Sequence, residues 1–213
     1  FKYKHIIWDW NGTIVDDSSL CVEIVNEILE NQCLREVSHD FYLNNFSFPA
    51  KNYYDLIGLP TDPVNYKRLS ENFIKKYRQR FRLCKLHKNI PKIISLFSNS
   101  GIDQSILSAA HQSDLQKFIS FYGLNKYFKI ISGVTDTKAN GKLNIAQNHL
   151  NQIKFSKNEI LFIGDTLHDN EVAKRMEIQI VLVSFGHNSY PILKKSGSPI
   201  VRTPSELLNF VRS

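Results

Sequence analysis

The chain has 213 residues, of which 42% are hydrophobic and 22% charged, and its formal net charge is +7. This length suits one α/β domain with a smaller inserted domain, and no apolar run approaches the roughly 20 residues that span a membrane. The start of the chain does not resemble a secretory leader, and Cys21, Cys33 and Cys84 form no CxxC pair, so we expect a reduced, cytoplasmic protein with no membrane role.

The first half of the chain predicts one strand followed by helices. The apolar run His5–Trp8 is typical of a buried strand. From Asp17 onward apolar residues recur at helical spacing, and the pair Asp62-Pro63 opens a second, longer helix. The aromatic residues between these helices are interpreted as a small core. The longer helix carries basic residues among apolar ones, which favours a solvated face over a nucleic-acid site: Lys75, Lys76, Arg78, Arg80 and Arg82.

The second half alternates between helices and short apolar strands. Strands are predicted at 104–107, 129–132, 160–163 and 180–183, and a capping box at 203–206 opens a final helix. This alternation predicts an α/β fold with a Rossmann-like, mainly parallel sheet and helices on both faces. Residues 17–86 interrupt it and are predicted to form a small helical domain, which leaves 1–16 and 87–213 as the α/β core.

Polar residues follow the predicted strands, at the edge where open α/β sheets bind their ligands. They are Asp9 to Thr13, Ser108, Lys142, Asp165 and Asp169. The carboxylates are the hard oxygen ligands that Mg²⁺ prefers, and Asp9 could attack phosphorus as a nucleophile. Ser108 and Lys142 could hold phosphoryl oxygens through a hydroxyl and a point charge. Gly12 would let the backbone come close, so that its N–H could face the transferring group.

Each of these residues has an ordinary structural alternative. An Asp after a strand is often a turn or helix cap, Gly-Asp is a common turn, and a lone Lys in a loop is usually solvated. The order and placement of the whole set are far more specific than any single residue.

With these motifs the sequence resembles the haloacid dehalogenase (HAD) superfamily over nearly the whole chain. The match is to the phosphoglycolate-phosphatase-like group, which has a helical cap after the first strand. The first family motif stands here as Asp9-Trp10-Asn11-Gly12-Thr13, and the second as Ser108. The third is a lysine, Lys142, with Lys138 as the alternative. The fourth is an acidic pair, here Asp165 and Asp169.

The resemblance implies a Mg²⁺-dependent phosphatase that acts on a small phosphorylated metabolite through an aspartyl-phosphate on Asp9. It implies Mg²⁺ ligation by the Asp9 carboxylate, the Asn11 backbone carbonyl and Asp165, with Asp169 nearby, directly or through water. The residues implied in phosphate binding are Gly12, Thr13, Ser108 and Lys142. The resemblance also implies that residues 17–86 are a cap that closes over the site and chooses the substrate.

Asn11 departs from the family pattern, which usually has a second Asp at this position. In family phosphatases that Asp protonates the leaving oxygen and later deprotonates water, and an amide cannot exchange a proton in this way. General acid–base help is worth roughly 10²–10⁴ in rate, so we expect an intact phosphate site with slower chemistry toward poor leaving groups. His168 and His111 are candidate substitutes. The alternative function is a non-catalytic or weakly active sensor of a phosphorylated ligand on the same fold.

Overall fold

The structure, a computed structural model, describes residues 1–135 and 141–213. Its strands are, in chain order, β1 (His5–Trp8), β2 (Val15–Asp16), β3 (Lys85–Leu86), β4 (Asp103–His111), β5 (Ile130–Val134), β6 (Ile160–Gly164), β7 (Gln179–Val183) and β8 (Ile200–Val201). Six of them form a parallel sheet in the order β5-β4-β1-β6-β7-β8. The first strand of the chain therefore lies in the middle of the sheet.

Helices flank this sheet and fill the segment between β2 and β3. They are α1 (Ser18–Glu30), α2 (His39–Asn45), α3 (Ala50–Leu56), α4 (Pro63–Arg80), α5 (Ile90–Asn99), α6 (Gln112–Phe121), α7 (Gly141–Leu150), α8 (Leu167–Met176), α9 (Tyr190–Leu193) and α10 (Pro204–Arg212). The predicted α/β fold with a mainly parallel sheet and helices on both faces is confirmed.

The two faces of the sheet are buried in separate hydrophobic clusters. Because side chains alternate along a strand, Ile6 and Trp8 of β1 belong to one cluster, together with apolar residues of α1, α5, α6 and α10. Ile7 belongs to the other cluster, with residues of α7 and α8. This double burial explains why β1 and β6 have continuous apolar sequences.

The helical segment enters and leaves through a short antiparallel ribbon in which β2 pairs with β3. The helix predicted after Asp17 is α1, and its apolar stripe is buried. The helix predicted at Asp62-Pro63 is α4, and the Asp62 side chain accepts a hydrogen bond from the Asn65 N–H at its start. Both helices are confirmed, while the division into domains at 16/17 and 86/87 stays a prediction.

The second strand predicted from the sequence differs from the structure at its carboxyl end. Ser108 was expected to end it, but β4 continues to His111, and its pairing with β5 is irregular between Leu107 and His111. Ser108 thus lies within an irregular strand end, where the shifted pairing lets β4 run on beside β5. The final two-residue strand β8 was not predicted, because so short a segment gives no alternation to recognise.

No helix in the described parts of the chain, 1–135 and 141–213, combines the length and the apolar character needed to cross a membrane.

Candidate active site

The charged centre of the site lies at the carboxyl end of β1. Asp9 follows β1 directly, and its backbone N–H donates to the Ile163 carbonyl of β6 at 2.9 Å. Lys142, near the start of α7, contacts the Asp9 carboxylate and donates to Asp169 Oδ1 at 2.6 Å. All three side chains are buried. The structure therefore brings together one strand end and the first turns of two helices, and Asp9 lies 133 positions from Lys142 along the chain.

A cluster of three carboxylates surrounds this centre. Ligand oxygens of Asp9, Asp165 and Asp169 all lie within 4.8 Å of one another. Burial raises the pKa of Asp9 well above its ordinary value, and Asp169 and Asp165 add to the rise while Lys142 opposes it. Burial likewise raises the pKa of Asp165 to about 6. One lysine does not neutralise three buried carboxylates, so the donor set fits a divalent cation with hard oxygen ligands.

Asp165 is fixed by the loops around it. Its Oδ1 accepts from the Thr13 hydroxyl at 2.8 Å, and its Oδ2 accepts from the His187 backbone N–H at 2.6 Å. Gly12, with φ +75°, and Gly186 pack so closely on Asp165 that a Cβ on either would clash with its carboxylate. These two glycines allow both loops to hold Asp165, and each of its oxygens keeps a lone pair for a metal.

Asp169 is used differently, because it stands at the third position of α8. Its Oδ2 accepts from Thr166 N–H at 2.9 Å, from Thr166 Oγ1 at 2.7 Å and from Asp165 N–H at 3.1 Å. Burial would raise its pKa, but Lys142 outweighs burial and lowers it. With Oδ2 saturated and Oδ1 on Lys142, Asp169 is better placed to orient the lysine or a metal-bound water than to ligate directly.

The Asn11 side chain faces a buried carboxylate outside this cluster. Its Nδ2 donates to Asp17 Oδ2 at 2.6 Å and to the Tyr77 hydroxyl at 2.9 Å. Tyr77 in turn donates to Asp17 Oδ2 at 2.7 Å. The Gly12 N–H donates to Asp17 Oδ1 at 2.9 Å and also to the Val15 carbonyl, rather than being free to face a transferring group as expected.

His187 completes this second network. Its Nε2 lies 3.2 Å from Asp17 Oδ1, and its Nδ1 is hydrogen-bonded to the Tyr42 hydroxyl at 2.9 Å. Burial alone would lower the pKa of His187, but Asp17 outweighs burial and raises it to about 9. Burial would raise the pKa of Asp17, but His187 lowers it. The pair is therefore an imidazolium and a carboxylate at neutral pH.

Ser108 and the histidine candidates all line the same cavity as Asp9. Ser108 Oγ accepts from Ala110 N–H at 3.1 Å, which leaves its proton available for a phosphoryl oxygen. His111 is hydrogen-bonded to Ser113, and His168 packs on Phe48 with ring centroids 5.1 Å apart. Lys138, the alternative phosphate lysine, lies outside the described residues.

The cavity has a volume of about 330 Å³ and two kinds of lining. The strand ends contribute the charged and polar residues described above. The helical segment and α6 contribute mainly aromatic rings: Tyr42, Phe46, Phe48, Tyr53, Tyr54, Tyr66, Phe73, Tyr77 and Phe118. The aromatic stretch that was interpreted as a core does pack, with Tyr42 stacked on Phe46 at 4.9 Å. It also forms a wall of the site.

Most of the basic residues of α4 do not line this cavity. Lys76 and Arg80 both pair with Glu27 of α1. Arg78 lines the cavity, half-exposed, and pairs with Asp114 through Nε at 2.8 Å and Nη2 at 2.7 Å.

The pattern of the haloacid dehalogenase-like hydrolases matches residues 6–183, which is most of the chain and includes every strand end of the site. The chain belongs to this family. Its membership confirms the resemblance drawn from the sequence motifs and the prediction of a hydrolase.

Several curated relatives and solved structures that resemble this chain are named as phosphatases, whereas the curated relative PtkA of Mycobacterium tuberculosis, 19% identical over 92% of this chain and 67% of its own, is named as a tyrosine-protein kinase. The phosphoglycolate phosphatase of Synechococcus elongatus is 20% identical over 207 residues, 97% of this chain and 96% of its own. PpaX of Caldanaerobacter subterraneus is described as a pyrophosphatase. It is 20% identical to this chain over 91% of this chain and 87% of its own. A predicted phosphatase from Clostridium acetobutylicum shares the fold with a TM-score of 0.85 and 18% identity over 99% of both chains. The two curated relatives described as phosphatases are named for different substrates. Their names therefore support phosphatase activity and do not identify a substrate for this chain.

Sequence reasoning missed three residues of the site in this family member: Asp17, Tyr77 and His187. His187 could have been found, because it follows β7 closely and the strand-end rule applies there too. Asp17 and Tyr77 gave no such signal, since one precedes a helix and the other belongs to an apolar helical stripe.

Proposed function

We propose that this protein is a Mg²⁺-dependent phosphatase that hydrolyses a small phosphomonoester through an aspartyl-phosphate on Asp9. The observation that carries the proposal is the Asp9 carboxylate, buried on a cavity wall, in contact with Lys142 and within 4.8 Å of two further carboxylates. A nucleophile, a cation for the phosphate and a metal-binding donor set are together in this arrangement.

The carboxylates of Asp9 and Asp165 would hold Mg²⁺, together with the Asn11 backbone carbonyl that the family resemblance implies. Asp169 would act on the metal through water and on Lys142 directly, as its hydrogen bonds suggest. When bound, the metal would neutralise charge on the phosphoryl oxygens and on Asp9 itself.

Lys142 and Ser108 would hold the phosphoryl oxygens while Asp9 attacks phosphorus. Lys142 supplies the positive charge, and burial of its ammonium group strengthens that interaction. Thr13 would position Asp165 through its hydroxyl, and Gly12 would leave room for that carboxylate, because a Cβ at Gly12 would clash with it. Asn11 would not transfer protons, and His111 and His168 are the candidate substitutes among the cavity residues.

Residues 17–86 would form the cap domain of this enzyme, and 1–16 with 87–213 the core. The supporting observation is that α1 and α4 contribute cavity residues opposite the strand ends and are joined to the core through the β2–β3 ribbon. In this proposal the cap selects the substrate and the core performs the phosphoryl transfer.

Two measurements test the phosphatase proposal. Acetyl phosphate and p-nitrophenyl phosphate should turn over with Mg²⁺, lose turnover when the metal is chelated, and regain it when Mg²⁺ is restored. Rapid acid quenching should trap a phosphoryl group on the peptide that contains Asp9, detected by mass spectrometry. If neither compound turns over and no phosphopeptide forms, the chain is instead the phospho-ligand sensor that Asn11 makes the alternative.

A further inference from the structure

The aromatic part of the cavity wall offers ring surfaces to a ligand. Tyr66 and Phe73 lie on the same side of α4 and line the cavity, and both are only half-buried. Aromatic side chains that keep accessible surface in a cavity bind other rings by offset or edge contacts. This wall is continuous with Asp9, because the same cavity reaches both.

The cavity as a whole offers no unpaired cationic side chain among the described residues. Two lysine or arginine side chains line the cavity there, Lys142 and Arg78. Lys142 is bound to the site carboxylates, and Arg78 is bound to Asp114 through two nitrogens. The imidazolium of His187 is paired with Asp17. A carboxylate or second phosphate on the substrate would therefore be buried without a free partner, which is unfavourable.

The Asn11 amide restricts the leaving group. Both of its hydrogen bonds as a donor are used, one on Asp17 and one on Tyr77, and an amide cannot protonate a departing oxygen. Without a proton from His111 or His168, the leaving oxygen departs as an anion. A phenolate is a far more stable anion than an alkoxide, so a phenolic ester suffers least from this substitution.

From these three features we infer that the substrate is a phosphate monoester of an uncharged aromatic alcohol, whose ring binds between the aromatic side chains of the helical segment. The inference rests on the proposed phosphatase function and names the substrate class of the same site. Tyr53 supports it independently: its side chain is buried on the cavity wall, and its hydroxyl has no hydrogen bond partner among the described residues. An uncharged polar substituent on the ring would supply the hydrogen-bond partner that this hydroxyl lacks.

The chemical step balances without a protein proton donor. An Asp9 carboxylate oxygen forms a bond to phosphorus while the bond between phosphorus and the phenolic oxygen breaks, and the electron pair leaves on that oxygen. The phenolate takes a proton from solvent. Water then attacks the phosphorus of the aspartyl-phosphate, which restores the Asp9 carboxylate and releases inorganic phosphate and one proton to solvent.

A set of four phosphate esters and one acyl phosphate separates the effect of ring binding from the effect of the leaving group. With Mg²⁺ present, kcat/KM would be measured for phenyl phosphate, 2-naphthyl phosphate, 4-carboxyphenyl phosphate, glycerol phosphate and acetyl phosphate. We expect 2-naphthyl phosphate to have a KM several-fold lower than phenyl phosphate, since its leaving group is similar and its ring larger. The 4-carboxyphenyl ester should be poorer than phenyl phosphate although its leaving group is better. Glycerol phosphate should be at least about 100-fold slower than phenyl phosphate, because an alkoxide needs the missing proton donor.

A matched pair of variants on α4 tests the wall itself. Phe73→Leu keeps an apolar side chain and removes the ring, so it should lower kcat/KM for 2-naphthyl phosphate by about tenfold relative to acetyl phosphate. Val64→Ala is the control, because Val64 is on the same helix, is 78% exposed and does not line the cavity. Tyr66→Leu provides a second test if Phe73→Leu proves unstable.

The outcomes distinguish a wrong substrate class from a wrong phosphatase proposal. If acetyl phosphate turns over but the aryl esters show neither the ring-size nor the charge preference, the substrate class is wrong and the phosphatase proposal stands. If 4-carboxyphenyl phosphate is preferred over phenyl phosphate, the inference is also overturned. If none of the five compounds turns over, both fail together.

Discussion

The two parts of the cavity lining differ in how the fold positions them. The charged part comes from the ends of β1 and β6 and from the start of α7, and its side chains are held by hydrogen bonds and by ion pairs with Lys142. The aromatic part comes mainly from α2, α3 and α4, and its side chains are held by packing. The charged part is suited to a reaction that many phosphate esters share. The aromatic part is suited to selecting one kind of ester for that reaction.

The largest expected effect comes from removing the nucleophile in the charged part. Asp9→Asn should lower kcat on acetyl phosphate by on the order of 10⁴-fold or more, because an amide cannot form the acyl phosphate. Stopped assays with purified variant and Mg²⁺ measure this. Asp16→Asn is a suitable control, since Asp16 is an exposed carboxylate on the neighbouring ribbon. Turnover within tenfold of the parent protein in Asp9→Asn would exclude Asp9 as nucleophile.

A smaller but still large effect is expected at the lysine of the charged part. Lys142→Met should lower kcat by on the order of 10²–10³-fold, as a charge-stabilising donor is lost. It should also lower the free energy of unfolding by about 3 kcal/mol when no Mg²⁺ is added, because Asp9 and Asp169 lose their buried partner. Activity and thermal melting with and without Mg²⁺ measure the two effects.

Lys129→Met serves as the comparison for Lys142→Met. Lys129 is paired with Asp103 but is largely exposed, so its loss should change stability by less than about 1 kcal/mol and leave activity unaltered. Equal behaviour of the two lysine variants would show that Lys142 is an ordinary ion pair and Lys138 the better candidate for the phosphate.

The charged part was largely predictable from sequence, for a topological reason. Parallel strands end at one edge, so Asp9 and Asp165 had to approach each other once β1 and β6 were recognised as neighbouring strands. The exact use of each group was not predictable. The Gly12 N–H bonds Asp17, and Asp169 caps α8, because these contacts depend on loop geometry rather than on strand order.

For the aromatic part, the sequence showed that aromatic residues are abundant but not that they line the cavity. Tyr77 belongs to the apolar stripe of α4, but nothing in the sequence indicated that its hydroxyl reaches Asp17 and Asn11. Asp17 and His187 are 170 positions apart, and their pairing requires both a helix start and the loop after β7. No local pattern encodes such a contact.

Exchanging the Asn11 and Asp17 side chains tests the contact at which the charged and aromatic parts of the cavity meet. The expected effect on activity is intermediate in size. Asn11→Asp alone would place two carboxylates at the 2.6 Å contact, which raises the pKa of one of them and disturbs the network. The double variant Asn11→Asp with Asp17→Asn keeps one carboxylate and one amide at this contact. We expect it to raise kcat/KM on glycerol phosphate by on the order of 10- to 100-fold, because a proton donor returns beside the leaving oxygen.

The rate on acetyl phosphate provides the internal control for this exchange, since an acyl phosphate has a good leaving group and needs little protonation. It should change by less than about threefold in the double variant. A double variant that gains nothing on glycerol phosphate while acetyl phosphate turnover is retained would show that the slow alkyl chemistry has another cause than Asn11.

The smallest effect is expected at Tyr53, on the aromatic part alone. Tyr53→Phe removes a buried hydroxyl without a hydrogen bond partner among the described residues, so the protein should be as stable as its parent or slightly more stable. A ring with an uncharged polar substituent, such as 4-acetamidophenyl phosphate, should lose about 2- to 10-fold in kcat/KM, whereas phenyl phosphate should not change. The ratio of the two esters isolates one hydrogen bond from the rest of the wall. An unchanged ratio, with stability maintained, would mean that the hydroxyl does not contact substrate and that the wall selects by shape only.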